Sequence, residues 1–316
     1  MTLGVTLIYD DLDGTALEAY RCYSLLATEL ESAGVEVLWL TEHHHNATRV
    51  SPSIPLMMAH LGAQTSLTLG AATILLSLQD PLRIAEEMAV LENLYPDRCI
   101  WGFAKGGGSE VLHNHHEGIH TPEAARAALR KNLEALIDLR AGGTAATLPL
   151  VPSLSPAGRY YLASRDPDTV RFAARNDLGL MIGHKWRLAE VEHLRELYRQ
   201  SHPKGVCPEI MMSRFFHLGE SVEAAVDESV AIMRKRHEQM HASGRALTTT
   251  KEIDRELLGY ESLIGSADVC MERMGKFREL GVTHLTLRPL EKNTAVIGRS
   301  VRAVTERLTN QGNDEP

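Results

Sequence analysis

The sequence predicts one domain over residues 1–316 that folds as a closed α/β barrel, the (β/α)8 or TIM-barrel architecture, with loop insertions at its carboxyl face. Short apolar segments alternate with longer segments of helical periodicity, and eight strands can be counted. An open, doubly wound sheet is the alternative. It is disfavoured because no Gly-x-Gly-x-x-Gly motif follows the first strand. No internal repeat or linker divides the chain.

Each predicted strand is a short apolar run between turn or helix signals. Ser66–Ile74 is rich in small and β-branched residues, and Tyr95-Pro96 marks the turn before Cys99–Phe103. The eight predicted strands are Leu3–Tyr9, Val35–Leu40, Ser66–Ile74, Cys99–Phe103, Arg159–Ala163, Leu178–Ile182, Glu209–Leu218 and Thr283–Arg288.

Capping residues set the predicted helix boundaries. Asp80-Pro81 and Thr121-Pro122 each join an N-cap to a proline at the first helical position, and Gly34 and Gly281 end helices. The predicted helices are Gly14–Ala33, Ser51 to about Thr65, Leu82 to about Leu94, Thr121 to about Gly142, Asp166–Asn176, Arg187–His202, Ser221–Met240, Ser266–Leu280 and about Thr294–Leu308. Ala141–Ala157 is predicted as a long loop, His241–Gly265 as irregular or partly helical, and Asn310–Pro316 as a frayed end.

Composition narrows the function classes. The formal net charge of −8 and the lack of a basic block disfavour nucleic acid and anionic membranes as partners. No apolar run approaches the length of a membrane helix, and the amino terminus lacks the features of a signal peptide. The four cysteines are far apart in sequence. They are expected to be thiols, and the protein to be cytoplasmic.

An acid and three imidazoles stand where the second strand ends. Glu42, His43, His44 and His45 follow Val35–Leu40, and in extended backbone His43 and His45 would share a side. Histidine can move a proton or hold a carbonyl or peroxide oxygen. Solvated histidines at a polar strand end are the plainer interpretation. A zinc site is a third, disfavoured because consecutive residues rarely converge on one metal.

Two predicted loops have the character of anion sites. Lys105–Gly108 follows the fourth strand, where glycines permit close backbone approach, although the spacing is not that of a Walker loop. After the fifth strand, Ser164, Arg165 and Thr169 flank the start of a helix whose free amides attract anions. A flexible glycine turn and plain helix capping by Asp166 are the respective alternatives.

Two further segments carry less information. The small residues of Leu69–Ile74 would let a flat ligand lie against the backbone, but they also suit tight barrel packing. His113–His120 is histidine-rich, and a polar lid is favoured there over a metal clamp. We therefore predict no metal site.

In order and spacing, these segments resemble those of the bacterial-luciferase-like flavin monooxygenases over about Leu3 to Pro289. The segments that carry the resemblance are Glu42-His43-His44, Leu69–Thr73, Asp80–Glu87, Lys105-Gly106, Gly265–Val269 and Gly281–Leu285.

The resemblance implies a barrel that binds reduced FMN at its carboxyl face, or a deazaflavin coenzyme in some branches. It implies that His43 supports flavin peroxide chemistry, and that a cis peptide joins Ala72 and Thr73 under the isoalloxazine. Lys105, beside Gly106, stands where the family usually has an arginine for the flavin phosphate.

Two departures from the family pattern affect this phosphate site. Lysine keeps the charge of arginine but loses its bidentate geometry. Asp166 replaces a common hydroxyl. We therefore expect Asp166 to cap the helix while Thr169 and backbone amides hold the anion, with Ser164 as a further donor.

Few aromatic side chains can stack on a flavin, since phenylalanine, tryptophan and tyrosine make up 5% of the chain. The nearest by position are Trp101, His184 and Trp186. The candidates for the substrate pocket are His44, His113, His184 and Trp186, with Ala141–Ala157 and His241–Gly265 as walls.

The function that follows is a flavin-dependent monooxygenase, in which reduced FMN and O2 form a flavin (hydro)peroxide that oxygenates a small organic substrate. A separate NAD(P)H:flavin reductase would deliver the reduced FMN, and family likeness implies a homodimer. The alternatives are a deazaflavin-dependent dehydrogenase or reductase on the same barrel and a non-catalytic flavin-binding subunit.

Overall fold

A computed structural model describes residues 1–9, 14–44, 49–106, 119–143, 149–242 and 252–313. Its strands form one parallel sheet in the order β6-β5-β4-β3-β2-β1-β9-β7-β8. These strands are β1 (Thr2–Leu7), β2 (Val37–Leu40), β3 (Thr68–Ile74), β4 (Cys99–Ala104), β5 (Arg159–Ala163), β6 (Gly179–Ile182), β7 (Ile210–Leu218), β8 (Leu263–Gly265) and β9 (His284–Pro289). A further pairing of β6 with β7 closes eight strands into a barrel. The predicted closed barrel is thus confirmed.

Helices follow the barrel strands and cover their outer surface. They are α1 (Ala16–Ser32), α2 (Ile54–Gly62), α3 (Pro81–Leu94), α4 (Pro122–Arg140), α5 (Pro167–Arg175), α6 (Leu188–Ser201), α7 (Val222–Ala242), α8 (Arg255–Glu261), α9 (Ala267–Glu279) and α10 (Thr294–Asn313). Within the described residues, no helix is long and apolar enough to span a bilayer. All four cysteines are free thiols.

Side-chain caps explain most of the helix starts. The Asp80 carboxylate accepts from the amides of Leu82 and Arg83 at the start of α3. The start predicted at Ser51 is wrong by a few residues, because Ser53 caps α2 and accepts from the Leu56 amide. Both Ser51 and Ser53 precede this helix in the sequence, and only Ser53 lies at the N-cap position in the structure.

Glycines on the strands leave room for one large ring inside the barrel. Trp39 is fully buried, and a Cβ atom at either Gly4 or Gly70 would overlap its indole. Packing of Trp39 with Ile100, Tyr161 and Met181 fills the barrel interior. The small residues of β3 thus serve packing along part of the strand.

The segment His241–Gly265, predicted as irregular or partly helical, contains the short helix α8 and the unpredicted strand β8. β8 pairs with the carboxyl-terminal end of β7, outside the closed circle. Leu257, Leu258 and Ile264 are buried against Ala225 and Val226 of α7. Because both elements are so short, the sequence shows no hydrophobic period that would have predicted this tertiary contact. The last helix also continues to Asn313, beyond the predicted end near Leu308.

Candidate active site

A cavity of about 660 Å³ opens at the carboxyl ends of the strands. Eight of the predicted catalytic, cofactor-binding and substrate-pocket residues line it: His43, Ala72, Thr73, Lys105, Gly106, Ser164, His184 and Trp186. His44 and Thr169 lie outside its wall, and His113 falls outside the described residues. Parallel strands and short loops have therefore gathered residues from five separate stretches of sequence.

His43 is held by contacts on both ring nitrogens. Its Nε2 is 2.7 Å from Arg49 Nη1, and its Nδ1 is 3.3 Å from Ser51 Oγ. A guanidinium only donates, so Nε2 is the acceptor and the ring proton sits on Nδ1. Burial, with the charges of Arg49 and Arg288, lowers the pKa of His43 to about 2. The imidazole is thus neutral at physiological pH.

Glu42 ties the end of β2 to the segment after β3. Its buried carboxylate accepts from His44 Nε2 at 2.5 Å, from Gln79 Nε2 at 3.3 Å and from the Leu75 amide at 3.4 Å. His44 is therefore a partner of Glu42 and not part of the cavity wall. Glu42 thus holds the chain just before His43 against the segment that follows β3.

One side of the cavity is backbone. The Ala72–Thr73 peptide bond is cis, as the resemblance implies, and both residues line the cavity. Gly106 closes the next loop with a φ of +77°, a conformation that favours glycine. Ser77 Oγ anchors that loop by donating to the Lys105 carbonyl at 2.5 Å.

The Lys105 ammonium lies at the cavity and has few partners among the residues that the structure describes. It donates to the Gly106 carbonyl at 3.0 Å. Burial lowers the pKa of Lys105, and the neighbouring charge of Arg126 lowers it further. An arriving anion would relieve both effects.

Asp166 caps α5 as expected and also binds two arginines. It accepts from the Thr169 amide at 2.9 Å and hydroxyl at 2.6 Å, and it lies 3.5 Å from Arg126 and 3.6 Å from Arg130. Burial alone would raise its pKa, but the Thr169 bonds and the two guanidinium groups lower it. The carboxylate is therefore charged.

Thr169 is fully buried behind Asp166, where its hydroxyl also accepts from Arg130 Nη1 at 3.0 Å. The expectation that Thr169 directly holds an anion has no support in this geometry. Lys105, Arg126 and Ser164 are the groups placed on the wall here.

The aromatic candidates separate into two groups. Trp186 lines the cavity with the Arg165 guanidinium 4.8 Å above its ring, and His184 packs edge-on against Phe215. Burial and nearby arginines hold the pKa of His184 well below its usual range. Trp101, by contrast, faces away from the cavity, because its indole donates to buried Glu92 at 2.7 Å.

Three cationic residues of the cavity wall were missed in the sequence: Arg49, Arg126 and Arg288. Arg288 sits near the carboxyl end of the last strand, where the barrel rule could have found it. Arg49 lies on a loop, and Arg126 reaches the cavity from the first turns of α4. Neither position carries a local signal.

The described residues fit a flavin nucleotide. Lys105 and Arg126 supply cations for a phosphate, and the Ala72–Gly106 side supplies a flat wall. The Ser213 hydroxyl and Arg49 Nε lie in the wall with no hydrogen-bond partner among the described residues, so the cavity has polar groups to spare for a ligand. Within the same part of the chain, no three His, Cys, Asp or Glu side chains converge as metal ligands.

This fold and site define a (β/α)8 barrel protein with a cationic ligand cavity at its carboxyl face. The family model described as luciferase-like monooxygenase matches residues 1–284, and the chain belongs to that family.

One curated relative is the oxygenase component of flavin-dependent trigonelline monooxygenase from Acinetobacter baylyi. It is 25% identical over 222 residues, which cover 62% of this chain and 58% of the relative. The chain spans little more than half the length of such curated relatives.

Solved structures share the fold. Monooxygenase RslO1 from Streptomyces bottropensis superposes with a TM-score of 0.82 at 20% identity, covering 98% of this chain and 99% of that one. The oxygenating constituent of 3,6-diketocamphane monooxygenase from Pseudomonas putida, in complex with FMN, superposes with a TM-score of 0.73 at 14% identity, covering 98% of both chains. An F420-dependent secondary alcohol dehydrogenase superposes with a TM-score of 0.71 at 12% identity, covering 96% of this chain and 98% of that one. The barrel thus occurs with FMN and with the deazaflavin F420.

Proposed function

We propose that the protein is the oxygenase component of a two-component monooxygenase, which takes reduced FMN from a separate NAD(P)H:flavin reductase and oxygenates a small organic molecule. Family membership and the FMN-bound neighbour support this proposal. By family likeness we further propose a homodimer in the cytoplasm. When bound, reduced FMN would supply the electrons that send one atom of dioxygen to the substrate and the other to water.

The single observation that carries the proposal is the neutral His43 at the cavity wall, clamped between Arg49 and Ser51. Oxygen chemistry on a reduced flavin needs few stray protons, because protons divert it to hydrogen peroxide. An imidazole with a pKa of about 2 offers no proton reservoir. Both ring nitrogens are already engaged, by Arg49 and Ser51. We therefore assign His43 to shielding the oxygen that reacts from stray protons, rather than to protonating it.

The remaining wall residues would position the flavin and shield it from water. Lys105 and Arg126, with the Ser164 hydroxyl nearby, would hold the phosphate of FMN. The backbone of Ala72 and Thr73 would lie against the ring. Trp186, with Arg165 over it, closes the side next to β6 and limits the access of water.

The test measures binding and oxidation without knowledge of the substrate. Equilibrium dissociation constants are compared for oxidised FMN, reduced FMN and reduced deazaflavin coenzyme under anaerobic conditions. The protein with reduced FMN is then mixed with air, and the rate of hydrogen peroxide release is recorded for the parent, for His43→Ala and for a surface control, His193→Ala. His193 is exposed on α6.

We expect reduced FMN to bind at least about tenfold more tightly than the deazaflavin, and His43→Ala to release peroxide about tenfold faster than the parent and the control. Tighter binding of the deazaflavin would instead indicate the dehydrogenase alternative. Equal peroxide release by parent and His43→Ala would remove the role of His43 and favour a non-catalytic flavin-binding subunit.

A further inference from the structure

The cavity is cationic in a chain that is acidic overall. Its described lining holds five cationic side chains and two carboxylates, whereas the formal net charge of the chain is −8. The five cations are Arg49, Lys105, Arg126, Arg165 and Arg288, and the two carboxylates are Glu42 and Asp166. One flavin phosphate does not require so many cations.

The cations fall on two opposite sides of the mouth. In the closed circle of eight strands, β4 lies opposite β9, and β5 lies opposite β1. Lys105 and Arg165 follow β4 and β5, whereas Arg288 belongs to β9. Arg49 joins Arg288, because the next residue, Val50, donates its amide to the Tyr9 carbonyl just beyond β1. We call these two residues the Arg49–Arg288 pair.

The two sides differ in charge compensation. On the β4–β5 side, Arg126 lies within 3.5 Å of both Glu123 and Asp166, and Arg165 lies 3.3 Å from Glu190. These contacts neutralise much of the positive charge there.

The Arg49–Arg288 pair has no such compensation among the described residues. Arg49 Nη1 binds the neutral His43, and Arg49 Nε has no partner in that part of the chain. Burial, with the charge of Arg49 and then that of Arg236, lowers the pKa of Arg288 to about 9. The one group that acts in the opposite direction is Tyr23, and burial raises the phenol pKa of Tyr23 to about 12, so it is neutral.

Such an arrangement is costly in the free protein. Two half-buried guanidinium groups that repel each other destabilise the fold unless something neutralises them. Glu42, the nearer carboxylate of the wall, is already bound to His44, Gln79 and the Leu75 amide. The neutralising group is therefore expected to come from a ligand.

We infer that the Arg49–Arg288 pair binds an anionic group of the organic substrate, a carboxylate, sulfonate or phosphonate, on the side of the cavity opposite the flavin phosphate. That the anion belongs to the substrate rests on the proposed function, whereas the anion site itself does not. Guanidinium groups suit these anions because they donate paired hydrogen bonds to two oxygens. Because Arg49 is 2.7 Å from His43, the anion would place the carbon skeleton beside the residue that faces the reacting oxygen.

The test uses matched pairs of small ligands that differ in charge. Benzoate is compared with benzamide, hexanoate with hexanamide, and hexanesulfonate with hexanesulfonamide. Dissociation constants are measured by calorimetry and thermal unfolding, on the protein with and without saturating oxidised FMN. The variants are Arg288→Gln, Arg288→Lys, Arg49→Gln, Lys105→Gln and the surface control Arg199→Gln, since Arg199 is exposed and pairs with Glu196.

We expect the anions to bind the parent at least about tenfold more tightly than the amides, the equivalent of one charge-assisted hydrogen bond. Arg288→Gln and Arg49→Gln should reduce that preference to below about threefold, while Arg288→Lys and Arg199→Gln retain most of it. Arg288→Gln should also raise the thermal midpoint of the ligand-free protein, because it removes an uncompensated, half-buried charge. This second readout shows that the variant is folded.

Three outcomes would overturn the inference. The first is equal binding of the anions and amides by the parent. The second is an anion preference that survives in both Arg288→Gln and Arg49→Gln. The third is a loss of FMN affinity in Arg288→Gln as large as that in Lys105→Gln, which would assign Arg288 to the flavin phosphate. Failure of FMN to bind at all, with the anion preference intact, would refute the proposed function and leave the anion site standing.

Discussion

Lowering the pH should destabilise the flavin-free protein through His43. The folded imidazole has a pKa of about 2, against about 6.5 in the unfolded chain. Between pH 7.5 and pH 5.0 the unfolded chain therefore takes up a proton at this position and the folded protein does not. The free energy of unfolding falls as pH falls through this window, because the unfolded state binds more protons.

The magnitude follows from the same two values. At pH 5.0 the proton uptake of the unfolded chain is worth RT ln(1 + 10^1.5), about 2 kcal/mol. This figure depends little on the exact folded pKa, provided that it stays well below 5. His184 adds to the slope in the same direction, since burial and nearby arginines also lower its pKa.

Urea unfolding at pH 7.5 and pH 5.0 measures the effect. We expect the parent to lose about 2 kcal/mol more than His43→Gln over this interval, since glutamine does not titrate. The exposed His193 provides the matched control, and His193→Gln should behave as the parent. If the stability difference between parent and His43→Gln is the same at the two pH values, the imidazole is not held neutral and the role assigned to it fails.

Two further predictions separate structural residues from ligand-binding residues. Trp101→Phe removes the hydrogen-bond donor to buried Glu92 and should lower the free energy of unfolding in urea by about 1–3 kcal/mol. The dissociation constant for FMN should not change, and weaker FMN binding would place Trp101 in the site after all. Gly106→Ala places a side chain at a φ of +77°, so it should lower the free energy of unfolding by about 1–2 kcal/mol and weaken FMN binding. The control is Gly275→Ala on α9, where an added Cβ meets nothing within 4 Å, and it should leave the stability unchanged or raise it. Unchanged FMN binding in Gly106→Ala would remove that loop from the cofactor site.

The fold was predictable because its signals are local and repeated. Each barrel strand is an apolar run, and caps such as Asp80 and Asp166 stand next to the helices they start. The exceptions were the strand β8 and the bounds of α8, since both elements are too short to show a period and are fixed by burial against α7. Local pattern fails where tertiary contacts decide the structure.

The site was predictable where chemistry follows a strand end. His43, Lys105 and Ser164 were found because each comes directly after a strand, and the barrel brings those ends together. Thr169 and Trp101 were misplaced for a different reason. Sequence position gave their element, but the direction of each side chain depends on a partner, Asp166 or Glu92, that only the folded structure identifies.

The contrast between the two cationic sides bears on how the cavity could be used. On the β4–β5 side, Asp166 already neutralises Arg126 and Arg130, so an arriving phosphate must share those guanidinium groups with a carboxylate. Sharing lowers affinity and suits a flavin that arrives reduced and leaves after each turnover, as the proposed function requires. The Arg49–Arg288 pair has no carboxylate to share among the described residues. Affinity for an anion is therefore concentrated beside His43, where the position of the substrate decides which of its atoms meets oxygen.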